Sequence, residues 1–357
     1  MQICFVHLGN NPPEHLWLNL ARIREMFSEL KITLIGDSEV TRDGANCRDI
    51  SYQDYVASQE ELDFLQRISH QHDMEFRGGF WRYSLQRLFA AAQFAKAQHE
   101  GTLHIESDIL LMSDFPFSKF EEALDKVSWQ KFNESHDVAS LLWFPNNKSA
   151  SQFLEKILKI DLPQKNTTDM TVLSCLAQQN PSDYGVIPSA GDISQINPDV
   201  KSDDNGVINL GLFNGYFDAA AFGMWVFGQD PKNYYGFALR YQKLPHSKVD
   251  ASKTTFKFST DSTCQDSFGN KVYSFHVHSK DKRLFATDNK ERINFYFNSA
   301  VNQKHSHVFD FSALTLLFKD YQARKMLLHL VYNLPIIKKL FSRLPFRKKL
   351  RILMRLK

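Results

Sequence analysis

The chain has 357 residues, 43% of them hydrophobic and 23% charged, with a formal net charge of +3 at neutral pH. That is enough length and apolar content for one large domain or two of ordinary size around a buried core, and it excludes a disordered or fibrous chain. Cys4, Cys47, Cys175 and Cys264 are scattered without a CxxC spacing. This argues against a zinc ribbon or a disulfide framework and fits a reducing, cytoplasmic setting.

The first residues, MQICFVHLGNNPP, read as a strand over Gln2 to His7. No basic segment followed by an apolar one precedes it, so no secretion signal is expected. Glu14 to Leu30 reads as an amphipathic helix and Lys31 to Ile35 as a second strand closing on Gly36-Asp37, which makes a βαβ opening. Glu60 to Ser69 is expected to be helical. So is Tyr83 to Gln98, with Leu85, Leu88, Phe89, Ala92, Phe94 and Ala95 on its apolar side, and it delivers the chain to a strand over Thr102 to Ile105. Helices are expected again at Ser149 to Leu158 and Asp169 to Gln178, followed by a Gly- and Asn-rich stretch from Asn205 to Gly215 and strands at Lys253 to Phe258 and Val272 to Val277. With no repeat and no low-complexity linker, one continuous core is expected to end near Phe318.

The basic excess belongs to the tail. Lys338 to Lys357 holds nine Lys or Arg and no acid, interleaved with Leu340, Phe341, Leu344, Phe346, Leu350, Leu353 and Leu356. That pattern suits an amphipathic helix, broken or kinked at Pro345, lying on anionic lipid. The uncharged stretch before it, Met326 to Ile337, falls short of the ~18–20 residues a spanning helix needs. A helix pair packed on its own domain or on a partner subunit is the other reading. Nucleic acid is not expected, because the tail has no aromatic stacking residues beyond two Phe.

Two motifs carry chemistry. In LHIESDILLMSDF, Glu106 and Asp108 stand two apart where an apolar strand ends, so both carboxylates can face one point and share a hard divalent cation. An acidic loop cap is the alternative. In SFHVHSK, His276 and His278 fall on one side of a strand and Lys280 continues that side. An imidazole beside two carboxylates completes a mixed shell suited to Mn²⁺, and the lysine can reach phosphates as a point charge. Two histidines at this spacing are also compatible with a structural or surface role.

Taken in order, FRGGFWRYSLQRLFAAAQFA, LHIESDILL and the late HVHSK resemble the basic helix, the DxD-type acidic motif and the C-terminal metal-binding His with its diphosphate-binding Lys of GT-A-fold glycosyltransferases. The resemblance covers roughly residues 1 to 285 and departs from the family in Glu106, where Asp is usual, and in the missing Gly and Trp after the His motif. It implies an α/β fold with a Rossmann-like mixed sheet flanked by helices. The implied domains are a catalytic domain over 1–318, with a nucleotide-binding half at 1–115 and an acceptor-binding half at 116–318, and the basic amphipathic helical tail over 319–357. The implied activity is transfer of a sugar, a hexose by expectation, from a nucleotide diphosphate donor, UDP-linked most often, with Mn²⁺ or Mg²⁺, to a glycan or lipid-linked acceptor in polysaccharide biosynthesis. The protein is then expected at the inner face of the membrane.

The resemblance also distributes roles. Metal ligands are Glu106, Asp108 and His278, with Glu106 acting directly, through water, or on the ribose. His7 and Asp37 lie where such enzymes hold the nucleoside, although Asp37 also suits a turn. Arg82, Arg87 and Lys280 add positive charge at the donor, although Arg87 also suits an exposed helix cation. Within GLFNGYFDAAAFGMWVFGQDPKNYYG, Asp218 is the first candidate for a catalytic carboxylate and Asp230 the second, with an N-cap as the alternative for Asp218. Asp169 in TTDMTVL opens a helix and is expected either to point towards the sugar or to serve as an N-cap. A sugar nucleotidyltransferase, and a non-enzymatic carbohydrate- or membrane-binding protein, are the rival classes.

Overall fold

Strand pairing sets the frame of the computed structural model. β1 (Gln2–His7) runs parallel to β2 (Lys31–Gly36), which runs parallel to β3 (Ser51–Asp54). On its other edge β1 pairs parallel with β4 (Thr102–Ile105). β7 (Asp137–Phe144) is antiparallel to β4, β6 (Val127–Lys131) is antiparallel to β7, and β8 (Tyr184–Val186) closes the sheet parallel to β6. The order β3-β2-β1-β4-β7-β6-β8 reverses direction between β1 and β4. Ligands of open α/β sheets bind outside the carboxyl ends of the strands at such a switch point.

The structure describes residues 1–9, 12–37, 50–73, 75–162, 167–198, 208, 210–230, 247–286 and 293–294. The chain divides into two compact units, Met1–Gly228 with Arg240–His305, and Gln229–Leu239 with Ser306–Lys357. The account here is of the first, and the tail from 319 onward lies outside the described residues. Among the described residues no helix is long and apolar enough to cross a membrane.

Alternation along each strand loads both faces of the sheet. Ile3 and Phe5 of β1, with Leu141 and Trp143 of β7, pack with α1 (Glu14–Met26) and α4 (Phe117–Ala123). Their sequence neighbours Cys4, Leu142 and Phe144 pack on the opposite face with α2 (Gln59–Ile68), α3 (Phe80–Lys96), α5 (Asn147–Lys159) and α6 (Asp169–Gln179). Helix starts follow local chemistry: Ser58 and Thr168 form capping boxes at α2 and α6, and the Asn146 side chain accepts from Ser149 N at α5. The helices expected ahead of the tail are present with ends moved by a few residues, and the fold is the expected mixed sheet flanked by helices. The strands β6, β7 and β8 went unread, because β7, DVASLLWF, is buried at every position and so shows no alternation.

A smaller layer completes the unit. β9 (Gly215–Tyr216), β10 (Phe256–Phe258), β11 (Cys264–Asp266) and β12 (Lys271–Val272) form a sheet in the order β10-β11-β12-β9. α7 (Leu210–Phe213) leads into this layer, and Phe256 and Val272 of the sheet share one core with Phe222 and Val226 of α8 (Ala221–Phe227). β5 (Ile109–Leu111), directly after the acidic motif, pairs antiparallel with β13 (Ser274–His276). The single late strand expected over Val272 to Val277 is therefore two strands, one in each sheet.

Behind β4 the core is aromatic. Phe120 is fully buried and meets the rings of Phe115, Trp143, Phe213 and Phe217 at centroid distances of 5.0–5.7 Å. Phe120→Ala removes this hub, and chemical denaturation is expected to show a loss of about 3–5 kcal/mol.

Candidate active site

The acidic motif forms a tight turn at the switch point. Glu106 N donates to Ser140 O of β7 at 3.0 Å, and Ile109 N donates back to Glu106 O at 3.2 Å, so the chain reverses between β4 and β5. Both carboxylates are buried, Glu106 at 9% and Asp108 at 7% exposure. The β5–β13 register sets His276 opposite Ile109, and Val277 N donates to Asp108 O at 2.8 Å. His276 Nε2 consequently lies 3.3 Å from Glu106 Oε2 and 3.4 Å from Asp108 Oδ1. One ligand atom from each of Glu106, Asp108 and His276 fits within 4.8 Å of the others.

His276, not the expected His278, is the imidazole that the structure groups with the two acids. The His278 ring stacks on it, with centroids 3.9 Å apart, and His278 Nε2 is buried without a hydrogen-bond partner. Strand periodicity does not carry past His276: β13 ends there, and Lys280 sits in left-handed backbone at φ 51°. Lys280 Nζ nevertheless comes within 3.9 Å of Asp108 Oδ2, with more than a third of its side chain exposed.

Arg87 is no exposed helix cation. It pairs with Glu106 through one guanidinium nitrogen and with Asp169 Oδ2, at the start of α6, through the other at 2.7 Å. Burial alone would lower its pKa, but Glu106, Asp169 and Asp108 together raise it and keep it charged. Burial would likewise lower the pKa of His276, yet Asp108, by charge and hydrogen bond, and Glu106 lift it to about 9. Burial raises Glu106 against the pull of Arg87 and His276, whereas the cations around Asp108 outweigh its burial and hold it well below the usual carboxylate range. Three acids and three cations thus converge, with the His276 imidazole reaching both carboxylates of the turn.

Asp218 is a correction to its expected role as proton acceptor. Its Oδ1 accepts from Phe222 N at 3.0 Å, and its Oδ2 accepts from Gly223 N at 2.6 Å and from His276 N at 3.0 Å. Fully engaged by backbone donors at 1% exposure, it caps α8 and anchors β13. The His276 ring is held as well, since Nδ1 can only donate to the Ala219 carbonyl, 3.0 Å away, which leaves Nε2 facing the acids. Asp230 belongs to the second unit.

The expected nucleoside residues gather at the ends of β1 and β2. Gly9 N donates to Asp37 Oδ2 at 2.7 Å, and the Tyr52 hydroxyl donates to the Asp37 carbonyl at 2.7 Å. Gly9 and Gly79 have φ of +90° and +100°, and a Cβ on either would meet the Tyr83 ring at 2.8 Å, so only glycine fits against that ring. Arg82 donates to the Tyr83 hydroxyl at 2.9 Å and lies over its ring. Burial lowers the His7 pKa, with Asp37 opposing. His7 Nε2, Asp37 Oδ1 and Arg82 Nε are buried without partners, an unspent set of donors and acceptors beside the switch point.

Sequence reading missed Asn19 and His15 of α1. The Asn19 amide donates to Ser107 O at 3.0 Å and to Ile109 O at 2.9 Å, and His15 Nε2 shares a hydrogen bond with Ser107 Oγ at 3.3 Å. The available signal was a polar residue within the apolar stripe Leu16, Leu20 and Ile23.

Backbone proximity between α8 and β13 makes Gly223 sensitive. A Cβ there would stand 1.9 Å from the His276 carbonyl oxygen, so Gly223→Ala must push β13 away. Its expected cost in thermal or chemical denaturation is about 1–3 kcal/mol. A neutral result would show that β13 yields freely.

No protein-family model matches this chain, and no curated protein does. Among solved structures it is similar to the galactosyltransferase LgtC in complex with donor and acceptor sugar analogs, at 11% identity over 86% of this chain and 97% of that one, with a TM-score of 0.40. It is also similar to mouse xyloside xylosyltransferase 1 in its apo form, at 8% identity over 52% and 84% with a TM-score of 0.35, and to the PaToxG glycosyltransferase, at 10% identity over 50% and 69% with a TM-score of 0.32. The mixed sheet whose strand order turns between β1 and β4, with the acid turn at its carboxyl edge, is an open α/β fold flanked by helices with the site at its switch point.

Proposed function

We propose that this chain is a metal-dependent glycosyltransferase that moves a sugar, a hexose in this reading, from a nucleotide diphosphate donor, UDP-linked, to a glycan or lipid-linked acceptor. The observation that carries the proposal is the buried Glu106, Asp108 and His276 cluster at the switch point of the sheet. Its donor set fits a divalent cation: two carboxylates and one imidazole nitrogen converge, and the burial that makes the acids repel each other favours a cation between them. Mn²⁺ suits the mixed oxygen and nitrogen shell, with Mg²⁺ as the alternative. When bound, such an ion supplies positive charge against the diphosphate as the nucleotide leaves.

The chain's own residues do the rest. Asp108, His276 and Glu106 hold the ion. Arg87 keeps Glu106 and Asp169 oriented toward the same point and adds positive charge. Lys280, partly exposed beside Asp108, is placed to meet phosphate oxygens as a point charge. The unpartnered atoms of His7, Asp37 and Arg82 offer donors and acceptors to the nucleoside. With both Asp218 oxygens taken by backbone N–H groups, the proposal assigns no general base to that carboxylate. The basic segment 319–357 is proposed to hold the domain on an anionic bilayer at the cytoplasmic face, where a lipid-linked acceptor would lie.

A thermal-shift panel of UDP and GDP with and without Mn²⁺ tests the reading. UDP with Mn²⁺ is expected to stabilise the protein, by about 2.7 kcal/mol once ligand reaches a hundred times its dissociation constant. Asp108→Asn is expected to abolish that shift and to lower turnover at least ~100-fold. A full response from this variant would remove Asp108 from the metal site.

Binding the ion should also depend on pH with a fixed sign. His276 is protonated below about 9 and must lose its proton to become a ligand. Apparent Mn²⁺ affinity should therefore strengthen, by up to roughly tenfold per pH unit, as pH rises toward that value. Isothermal titration at several pH values checks it, and affinity that weakens with rising pH would contradict the assignment.

A further inference from the structure

We infer that α1 is part of the site, with Asn19, supported by His15, as a positioning residue for the acid turn; the inference rests on the metal-dependent reading above. Asn19 has 0% exposure and sits in a stripe whose other members, Leu16, Leu20 and Ile23, pack in the core. An apolar side chain would serve packing at that place. What the carboxamide adds is a pair of donors for the Ser107 and Ile109 carbonyls, one on each side of Asp108.

The bond to Ser107 fixes the peptide plane that precedes Asp108, and the bond to Ile109 fixes the plane that follows Ile109. The carbonyl of Asp108 itself accepts from Val277 N at 2.8 Å, and that of Glu106 accepts from Ile109 N. Every carbonyl of the turn is thereby held, and Asp108 keeps only its side-chain torsions as freedom. A metal site needs its ligands placed before the ion arrives, because each torsion left loose is entropy lost on binding.

The same helix also touches the segment that follows His276. Phe285, nine residues past His276, lies with its ring 5.9 Å from that of His15, and Lys282 pairs with Glu14 at the start of α1. One element thus braces the turn that carries Asp108 and the segment that follows His276 and Lys280. Asn19 and His15 stand four residues apart on one helical face, which lets both reach Ser107.

The experiment is a Mn²⁺ titration of the whole chain without nucleotide, followed by the electron paramagnetic resonance signal of the free ion. Asn19→Leu, which keeps the volume and removes both donors, is expected to weaken Mn²⁺ binding about 10–100-fold. Gln195→Leu is the control for structural damage: it deletes an equally buried carboxamide, bonded to Tyr216, Thr254 and Asp266 in the small layer, and should leave Mn²⁺ affinity unchanged. If Asn19→Leu binds Mn²⁺ as the unaltered chain does, the inference is overturned. Should that variant fail to fold, Asn19→Asp, which swaps donors for acceptors at the same size, carries the same test, and failure of both to fold overturns the inference in favour of a purely structural role. Absence of Mn²⁺ binding by the unaltered chain would instead sink the metal reading, and this inference with it.

Discussion

The pairing of β5 with β13 is the constraint on which the site depends. It joins a strand that starts one residue after Asp108 to one that ends at His276, and its register alone brings the imidazole to the carboxylates. Glu106, Asp108 and His276 are buried there, and an unpaired buried charge costs several kcal/mol. Arg87, His276 and Lys280 against Glu106, Asp108 and Asp169 meet that requirement as a set. A divalent ion in place of the His276 proton would turn the balanced set into one with a single net positive charge, the sign that an anionic diphosphate calls for.

Backbone interactions keep β13 in place. Asp218 ties the His276 N–H to the first turn of α8, and Gly223 lets that turn come against the His276 carbonyl. A buried carboxylate with three backbone donors is a structural fastener, and this is why a residue that looked like a base from its surroundings in sequence proves to be a support. Asn19 does the equivalent work for the turn from the other side. The ligand side chains are few; most of the polar groups around them are there to hold backbone.

Legibility followed locality. The periodicity of α1, α3, α5 and α6 could be read because each buries one stripe, and β1, β2 and β4 because short apolar runs end in Gly or acidic turns. β6 and β7 escaped, since a strand buried on both faces leaves no alternation to find. Arg87 could be named but not placed: its partner Asp169 lies at the cap of a different helix, and an exposed cation fits the same letters. Much of the C-terminal reading, the basic tail included, lies outside the described residues.

By itself the sequence determined the α/β alternation, the position of Glu106 and Asp108 at a strand end, and the presence of a late His-x-His-x-Lys segment, because these depend on spacing within a few residues. Only the tertiary structure decided that His276 joins the acids while His278 stacks behind it, that Asp218 is a fastener, and that α1 takes part. Two histidines two apart are equivalent on a strand of unknown register. The difference between them arises from where β13 ends and which residue of β5 it faces, and such long-range pairing is chosen by burial of the whole core.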